Sequence, residues 1–252
     1  MKEEFYLPIP RKKEGLKKTY PAFIVLAVSL ALVLIIWRML SLQVDERIDS
    51  LYESEKKIIT EKLKMNLDKK IDILKSFQNL YSGKVQIVRD VFELYVTVPQ
   101  KMNSDIVLIG FAPQIKKGME AGFMENARNE GYSNFSIFPS GSRTEYFPVA
   151  NYLPYKPLLK VVGADLYSDP VKAEVIKNSF AQNEIELSPA TKSLISDMPV
   201  LMLSAPVKLG YSASVAPNAP TQGVCFIEID IKEYINAALG MELSSLAYEI
   251  YD

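Results

Sequence analysis

The sequence predicts an α+β protein in which one long N-terminal helix precedes a mixed α/β domain. Residues 22–82 contain neither glycine nor proline, and this absence favours an uninterrupted helix. Beyond Pro99, short apolar runs alternate with helical periodicities and turn residues, which is typical of strands and helices that interleave around antiparallel hairpins. With 252 residues, 48% of them hydrophobic, the chain can form one or two domains with substantial cores.

The first part of the long helix is a predicted transmembrane segment. Residues 22–37 are apolar at every position except Ser29, and with their neighbours they reach about twenty residues, enough to cross the hydrocarbon core of a bilayer. Tyr20 and Trp37 stand near the two ends, where amphipathic rings favour the interface. We therefore predict a transmembrane helix over 20–42. A cleaved signal peptide is the alternative, but its apolar region would be unusually long and no small-x-small cleavage pattern follows it.

Charge is distributed unequally on the two sides of this segment. Residues 1–19 carry a net charge of +3, whereas the residues after Ser41 carry 22 basic and 27 acidic side chains. Because basic flanks stay in the cytoplasm, we expect a cytoplasmic tail over 1–19 and a periplasmic or extracellular remainder, as in a single-pass protein of the bacterial inner membrane. The lipid bilayer is an expected partner, and the balanced total charge gives no indication of nucleic acid binding.

The absence of histidine excludes several kinds of site within this chain. It removes Ser-His-Asp and Cys-His nucleophile pairs, His-ligated metals and a phospho-accepting histidine. The single cysteine, Cys225, cannot form an internal disulfide, and its apolar surroundings predict a buried, inert thiol. We therefore predict no catalytic residue, metal or cofactor, and we do not expect this chain to be an enzyme. A hydrolase is the least favoured function.

The residues after the membrane segment, 43–82, are predicted to form a stalk helix of about 40 residues, roughly 60 Å long at 1.5 Å per residue. Seven apolar residues recur along it with a mean step of about 3.7, the period of one helix face. They are Ile59, Leu63, Leu67, Ile71, Leu74, Phe77 and Tyr81. Such a stripe needs a partner, which is either the distal domain or the same helix of a second copy. The two are compatible, and we predict a homodimer through the stalk helix.

The distal domain is predicted over 83–252 and mixes both kinds of element. Helical spacing predicts helices from Val85 to just before Pro99, over 113–130, over 170–182 with Ser168 or Asp169 as cap, and over 231–239. Apolar runs or alternation predict strands over 106–111, 135–137, 145–153, 199–207 and 223–231. Pro148 places the third of these strands at a sheet edge.

Several short motifs occur in this domain in a fixed order. They are Phe111-Ala112-Pro113, Phe123-Met124-Glu125, Asn129-Glu130-Gly131, Phe135-Ser136-Ile137, Thr144-Glu145-Tyr146-Phe147-Pro148-Val149, Gly163-Ala164-Asp165, Leu187-Ser188-Pro189 and Ala205-Pro206-Val207. Each motif is weak alone, but their order and spacing behind an anchor helix resemble the CHASE domain over residues 106–240. That family is the extracytoplasmic ligand-binding module of histidine kinases and nucleotide or diguanylate cyclases.

The resemblance implies a long N-terminal membrane-anchor and stalk helix followed by PAS-like mixed α/β sensory halves, with the ligand pocket in the membrane-distal half. It also implies a receptor of the two-component or cyclase type, whose output domain would follow Asp252, so that this chain is expected to be a fragment or a truncated product. In the plant receptors of the family, an aspartate precedes the Glu-Tyr pair and binds the adenine-type ligand. Here that position is Thr144, so a cytokinin is not the expected ligand.

Four residues are candidates for contact with a small-molecule ligand: Thr144, Tyr146, Asp165 and Ser204. On a strand, Thr144 and Tyr146 would share one face, although Tyr146 in the core and Thr144 as a strand former is the simpler interpretation. For Asp165, capping a turn after Gly163 is favoured over ligand contact. Ser204 lies in a very apolar strand, where a ligand or a neighbouring backbone carbonyl would satisfy its hydroxyl equally well.

Glu228 and Asp230 alternate on the last predicted strand and could form a pair of catalytic acids. Their alternation with isoleucines favours an exposed polar face instead. The predicted function is ligand sensing as the input portion of a membrane-bound signal-transduction receptor. The alternative is an envelope scaffold or interaction protein that spans the membrane once and has no small-molecule ligand.

The topology is directly testable. A reporter that is active only in the periplasm, fused after Asp252, should be active, because one span behind a basic tail places the C-terminal side outside the cytoplasm. Activity of a cytoplasmic reporter at the same position would contradict the predicted orientation.

Overall fold

The computed structural model describes residues 16–82, 87, 89–129, 132–153, 161–208 and 222–240. The chain divides into two compact units, Met1–Ile58 and Ile59–Asp252. Most of the predicted basic tail, the helix break at Gly83 and the helix end at Gly131 lie outside the described residues.

The described elements are five helices and eight strands. Helices α1 to α5 are Leu16–Ser82, Arg89–Met102, Glu120–Asn129, Pro170–Gln182 and Ile231–Leu239. Strands β1 to β8 are Ile106–Pro113, Ile115–Lys116, Glu145–Tyr146, Asn151–Leu153, Glu186–Leu187, Thr191–Lys192, Pro199–Lys208 and Gln222–Asp230. A 3₁₀ turn, Leu166–Ser168, precedes α4.

The first unit contains the apolar part of α1. Its segment Phe23–Gln43 has 21 residues and is the one helix among the described residues that is long and apolar enough to cross a membrane. The apolar side chains of this segment are exposed, as a helix surrounded by lipid requires. By length and composition it therefore matches the predicted span over 20–42.

The second unit is built on an antiparallel sheet in the order β4-β1-β8-β7-β5, with β6 also paired to β7. The longest pairings join β8 to β1 and to β7, from Gly223↔Pro113 and Gln222↔Lys208 at one end to Ile229↔Ile106 and Asp230↔Val200 at the other. Strand β4 lies at the sheet edge, as Pro148 predicted for that segment. A separate two-stranded sheet joins β2 to β3.

One face of the main sheet is covered by α1, α2 and α5. Leu74, Phe77 and Tyr81 of α1 are buried there, and the four earlier residues of the predicted stripe pack partly buried against the same cluster. Tyr81 stacks on Phe111 of β1 with ring centroids 4.0 Å apart. The structure thus shows the first alternative for the stripe, packing on its own domain.

The other face is covered by α4, the 3₁₀ turn and the segment around Phe147. Its buried cluster joins Met202 and Phe226 of the sheet to Val175 and Ile176 of α4. Helix α4 begins where predicted, because the Asp169 side chain accepts hydrogen bonds from the first backbone N–H groups of the helix and Pro170 occupies its first position.

The predicted helix over 113–130 is wrong in its first half. Pro113 ends β1 opposite Gly223, β2 follows, and the helix begins only at Glu120. Proline tolerates the first position of a helix and also the end of a strand, so its presence alone does not distinguish the two.

Two strand predictions and one helix boundary also differ. Residues 135–137 form no strand, and the next residue, Phe138, makes an isolated bridge to Ala164. The segment 145–153 is two short strands that pair with different partners, β2 and β1. Helix α2 continues through Pro99 to Met102, so the proline does not end it.

A buried ion pair fixes α1 on the sheet. Lys70 Nζ lies 2.9 Å from Asp105 Oδ2, and both side chains are almost fully buried. The same ammonium donates to Asn66 Oδ1 at 2.6 Å and to Asn103 Oδ1 at 3.2 Å. Tyr234 of α5 donates to the Leu63 carbonyl at 2.6 Å. These bonds tie α1 to α5 and to the segment that joins α2 to β1.

Removing the cation of this pair should be costly. Lys70→Met leaves the Asp105 carboxylate buried without a counter-charge, and we expect the free energy of unfolding to fall by about 3–5 kcal/mol. Lys69→Met, at an exposed position of the same helix turn, is the control and should change it by less than about 0.5 kcal/mol. Urea unfolding measures both, and equal effects would contradict a structural role for the pair.

Candidate ligand-binding site

Two of the four predicted site residues, Tyr146 and Asp165, both lie against Arg143, and Thr144 follows Arg143 in sequence. These residues and their neighbours form a polar cluster. It consists of Arg143, Thr144, Glu145, Tyr146, Asp165 and Tyr167, and we call it the Asp165 cluster. It lies beside the core cluster of the α4 face, since Phe147 and Leu166 belong to that core and neighbour its members in sequence. Ser204 lies elsewhere, on β7.

Asp165 holds the cluster together. Its Oδ1 accepts hydrogen bonds from the backbone N–H groups of Phe147, at 2.8 Å, and Tyr167, at 3.1 Å. Its own N–H donates to the Phe138 carbonyl at 2.8 Å. The capping role predicted for Asp165 is confirmed for the 3₁₀ turn. The carboxylate and the backbone N–H of Asp165 therefore join the 165–167 turn to the segments around Phe147 and Phe138.

The turn before Asp165 requires glycine. Gly163 has a φ of +88°, and a Cβ atom there would lie 2.1 Å from the Ser136 carbonyl oxygen. That close approach lets Phe138 donate its N–H to the Gly163 carbonyl at 2.9 Å. The Gly-Ala-Asp motif thus has a structural cause, independent of any ligand.

Arg143 covers the second oxygen of Asp165. Its Nη1 lies 3.1 Å from Asp165 Oδ2, and 24% of the arginine side chain is exposed, against none of the aspartate side chain. The contact lacks hydrogen-bond geometry, and Oδ2 has no hydrogen-bond donor among the described residues. The guanidinium also lies 5.8 Å from the ring centre of Tyr146. A half-buried cation therefore separates solvent from an unsatisfied carboxylate oxygen.

Tyr146 and Thr144 differ in their surroundings. Tyr146 is buried, and its hydroxyl donates to the Gly141 carbonyl at 2.9 Å and accepts from the Arg143 N–H at 3.1 Å. Thr144 is exposed. Strand β3 begins at Glu145, so Thr144 lies just before it, and the expectation that the two residues share one face stays a prediction. Whether either residue contacts a ligand stays a prediction.

Glu145 and Tyr167 form the partly exposed rim of the cluster. Glu145 accepts from the Gln114 amide at 2.5 Å and hydrogen-bonds Tyr167. Burial, followed by the charge of Glu145 and this hydrogen bond, raises the pKa of Tyr167 well above its usual range. The tyrosine hydroxyl is therefore held in its neutral form.

Burial also raises the pKa of the Asp165 carboxyl. Desolvation raises its pKa above the ordinary value of 3.8, although the two backbone N–H groups and the charge of Arg143 act in the opposite direction. The folded state therefore favours the protonated carboxyl more than the unfolded chain does, and its charged form is destabilised by burial.

Ser204 is buried on the sheet face that α4 covers. Its hydroxyl lies 3.3 Å from the Ser179 hydroxyl of α4. The partner is therefore another side chain, rather than the ligand or carbonyl group that the sequence suggested, and its role in binding is untested.

A second buried ion pair is not among the features predicted from the sequence. Lys172 Nζ lies 2.6 Å from Glu228 Oε1, and both side chains are buried. Glu228 also accepts hydrogen bonds from the Ser193 hydroxyl at 2.7 Å and from the Leu194 N–H at 3.0 Å. The predicted exposed face at Glu228 is therefore wrong. Glu228 lies on the same strand face as the buried Val224 and Phe226, but residues 224–227 are apolar on both faces, so the strand's sequence alone does not show that this face is covered.

Cys225 is buried as predicted, and burial raises the pKa of its thiol well above the usual range, so the reactive thiolate is disfavoured. Among the residues that the structure describes, no three His, Cys, Asp or Glu side chains are grouped so that they could hold a metal ion. The Asp165 cluster places hydrogen-bonding and charged groups at the edge of an apolar core.

Residues 85–252 match the CHASE domain model, which is two thirds of the chain. The chain therefore belongs to the CHASE family, whose members are extracellular, non-catalytic sensory domains of signalling receptors. No curated protein sequence matches this chain. The match extends beyond the predicted 106–240 at both ends and includes α2.

The raised pKa of Asp165 gives a pH prediction. As pH rises from about 4 towards neutrality, wild type should lose free energy of unfolding relative to Asp165→Asn, because the folded state binds the proton more tightly than the unfolded state. Urea unfolding of both proteins at about pH 4, 5, 6 and 7 measures the difference. A difference that does not change with pH would contradict the shift.

Proposed function

We propose that this chain is the ligand-sensing input portion of a membrane-bound receptor. The observation that carries the proposal is the CHASE match over residues 85–252 behind a helix able to cross a membrane. The first and last strands of the sheet, β1 and β8, are adjacent, and β4 and β7 flank them as antiparallel partners. This order supports the PAS-like character that the family resemblance implies.

The Asp165 cluster is the proposed ligand site. Arg143 is partly exposed over a buried carboxylate oxygen that lacks a hydrogen-bond donor, and the hydroxyl-bearing Thr144 is exposed beside it. A ligand bearing an N–H or O–H donor would supply the missing hydrogen bond if Arg143 moved aside. Thr144 replaces a carboxylate with a neutral hydroxyl at the family's adenine-binding position, so we propose a ligand other than a cytokinin.

Asp165 connects such a ligand to the rest of the domain. A change at its carboxylate would alter the bonds to Phe147 and Tyr167, and Phe147 packs in the core cluster on the sheet. On the opposite sheet face, α1 is held by the Lys70–Asp105 pair. Ligand binding would shift α1 only if the ligand prefers one of two arrangements of these elements.

We also propose a cellular location for the chain: the bacterial inner membrane, with the N-terminus in the cytoplasm and the CHASE domain in the periplasm. A histidine kinase or diguanylate cyclase would be the output domain of the parent receptor, which would act as a dimer. The basic residues before the span support the orientation.

Binding is tested with the full chain in lipid nanodiscs. A ligand that binds the folded state raises the unfolding temperature by mass action, so amino acids, organic acids, amines and nucleobases are screened for a shift. For a ligand at the Asp165 cluster, Thr144→Val should weaken binding several-fold through the loss of one hydrogen bond worth about 0.5–1.5 kcal/mol.

One further variant inside the cluster and one control outside it locate the site. Tyr146→Phe removes only the hydroxyl that hydrogen-bonds Gly141 and Arg143. Because the loop then loosens, the ligand should raise the unfolding temperature less than it does in wild type. Ser204→Ala lies outside the cluster and should leave the shift unchanged. If Ser204→Ala alone weakened ligand binding, the site would lie at β7 instead. If no compound in the screen stabilised the protein, the scaffold function would be favoured.

A further inference from the structure

The Asp165 cluster contains two carboxylates and one cation. Asp165 is 2% exposed, and its Oδ2 accepts no hydrogen bond from any residue that the structure describes. Glu145 is half-buried and takes part in none of the ion pairs of the described residues. Arg143 lies 3.1 Å from Asp165 Oδ2 and is the cation of the cluster. The negative charge of the cluster therefore exceeds its positive charge even with Arg143 in place.

Both carboxylates lie near the Tyr167 hydroxyl. Glu145 hydrogen-bonds this hydroxyl. Burial raises the pKa of Tyr167, and the charges of Glu145 and Asp165 raise it further. Lys116 is opposite Glu145 in the pairing of β2 with β3, but its side chain is exposed and forms no ion pair with it. The excess negative charge is therefore local to the cluster, and such a field attracts positively charged molecules.

Arg143 is held less firmly than the lysines of the two buried ion pairs. Those lysines are almost fully buried and belong to helices, whereas 24% of the Arg143 side chain is exposed. It lies on the segment 139–144, which contains no helix or strand. Its Nη1 also donates to the Pro139 carbonyl of that segment at 3.2 Å. The guanidinium can therefore leave Asp165 without the displacement of a helix or a strand.

Aromatic rings border the carboxylates. The Arg143 guanidinium lies 5.8 Å from the ring centre of Tyr146, a distance at which a ring face attracts a cation. Tyr167 packs against Phe147 with ring centroids 4.5 Å apart, and the Phe147 centroid lies 5.8 Å from that of Phe180. Negative charge beside aromatic rings is the combination by which proteins bind organic cations.

The charge of the ligand follows from what must replace Arg143. A neutral N–H or O–H donor would bond Asp165 Oδ2 but leave the carboxylate without a counter-charge. The cost of an unpaired buried charge exceeds what one neutral hydrogen bond contributes. An anion would be repelled by both carboxylates. A cation with N–H groups supplies the hydrogen bond and the counter-charge together.

We propose that the Asp165 cluster binds an organic cation, a primary ammonium or guanidinium group on a short apolar body, and that Arg143 is the tethered cation which this ligand displaces. This assignment rests on the proposed function, because it gives a ligand class to the proposed site. The ligand cation replaces the Arg143 guanidinium at Asp165 Oδ2, and its apolar body lies beside the rings of Tyr146 and Tyr167. Displacement of Arg143 releases the segment 139–144, so binding changes the conformation of this segment.

The test compares two probes of the same shape, n-butylguanidinium and n-butylurea, which differ in charge. Each is titrated at neutral pH, up to about 10 mM for fragments of this size, into the full chain in lipid nanodiscs. Butylguanidinium should raise the unfolding temperature of wild type in a saturable manner, by mass action. Butylurea should not, because it brings no counter-charge for Asp165.

Removal of the tethered cation provides a second arm. Arg143→Met should increase the affinity for butylguanidinium at least about tenfold, because the probe then meets a buried carboxylate that lacks its own cation. The probe should also restore the unfolding temperature that this variant loses. Lys116→Met removes an exposed charge opposite Glu145 and is the matched control, which should change the affinity by less than about twofold.

Two neutral variants test the carboxylates. Asp165→Asn keeps the size of the side chain and should remove the preference for butylguanidinium over butylurea. Glu145→Gln can still accept the hydrogen bond from Gln114 and should weaken butylguanidinium binding several-fold. Because Glu145→Gln leaves the bonds of Asp165 in place, it tests the role of charge even if Asp165→Asn does not fold.

Four results would overturn the assignment: no saturable response of wild type to butylguanidinium, an equal response to butylurea, weaker binding by Arg143→Met than by wild type, or unchanged binding in both carboxylate variants. A neutral or anionic compound whose binding Thr144→Val weakens would also overturn the ligand class, but it would leave ligand sensing at this site intact. A screen in which no compound of any charge binds would contradict sensing itself. The two failures are therefore distinguishable.

Discussion

The three central strands β1, β8 and β7 are buried on both faces, and the arrangement of the domain follows from this two-sided burial. Alternate residues of each strand enter different cores, so both faces need a covering layer. Close packing leaves little freedom within the sheet. A Cβ atom at Gly110 would lie 2.5 Å from Phe226 Cζ, and one at Gly223 would lie 2.7 Å from the Ala112 carbonyl oxygen. Glycine at these two positions lets large side chains cross the sheet surface.

Because both faces are covered, charged side chains that enter the interior must be paired. Lys70 meets Asp105 beneath α1, and Lys172 meets Glu228 beneath α4. Asp165 differs from both, because its cationic partner Arg143 is partly exposed. It is therefore the pair that a molecule arriving from solvent can disturb without opening the core, and this accessibility makes the Asp165 cluster the best candidate for ligand sensing.

The helices that cover the sheet bury apolar surface that would otherwise be available for contact with another chain. The apolar stripe of α1 is used inside the second unit, so a regular heptad-like pattern on a stalk does not by itself identify a dimer contact. Helix α2 turns one apolar face inward and leaves another exposed. If sensing occurs as proposed, it begins on the sheet face opposite α1. A change at Asp165 would then have to cross the sheet to reach α1 and α2.

The sequence by itself determined the features whose cause is local. The apolar run Phe23–Gln43, helix α4 with its Asp169 cap, and helix α5 ended by Gly240 follow from composition, period and capping residues within a few positions. The tertiary structure decided features that depend on distant partners. Glu228 is buried because Lys172, 56 residues away in sequence, is brought to it. Pro113 ends a strand because Gly223 lies opposite. Pairing and burial over such distances outweigh local propensity, so no pattern within one segment could report them.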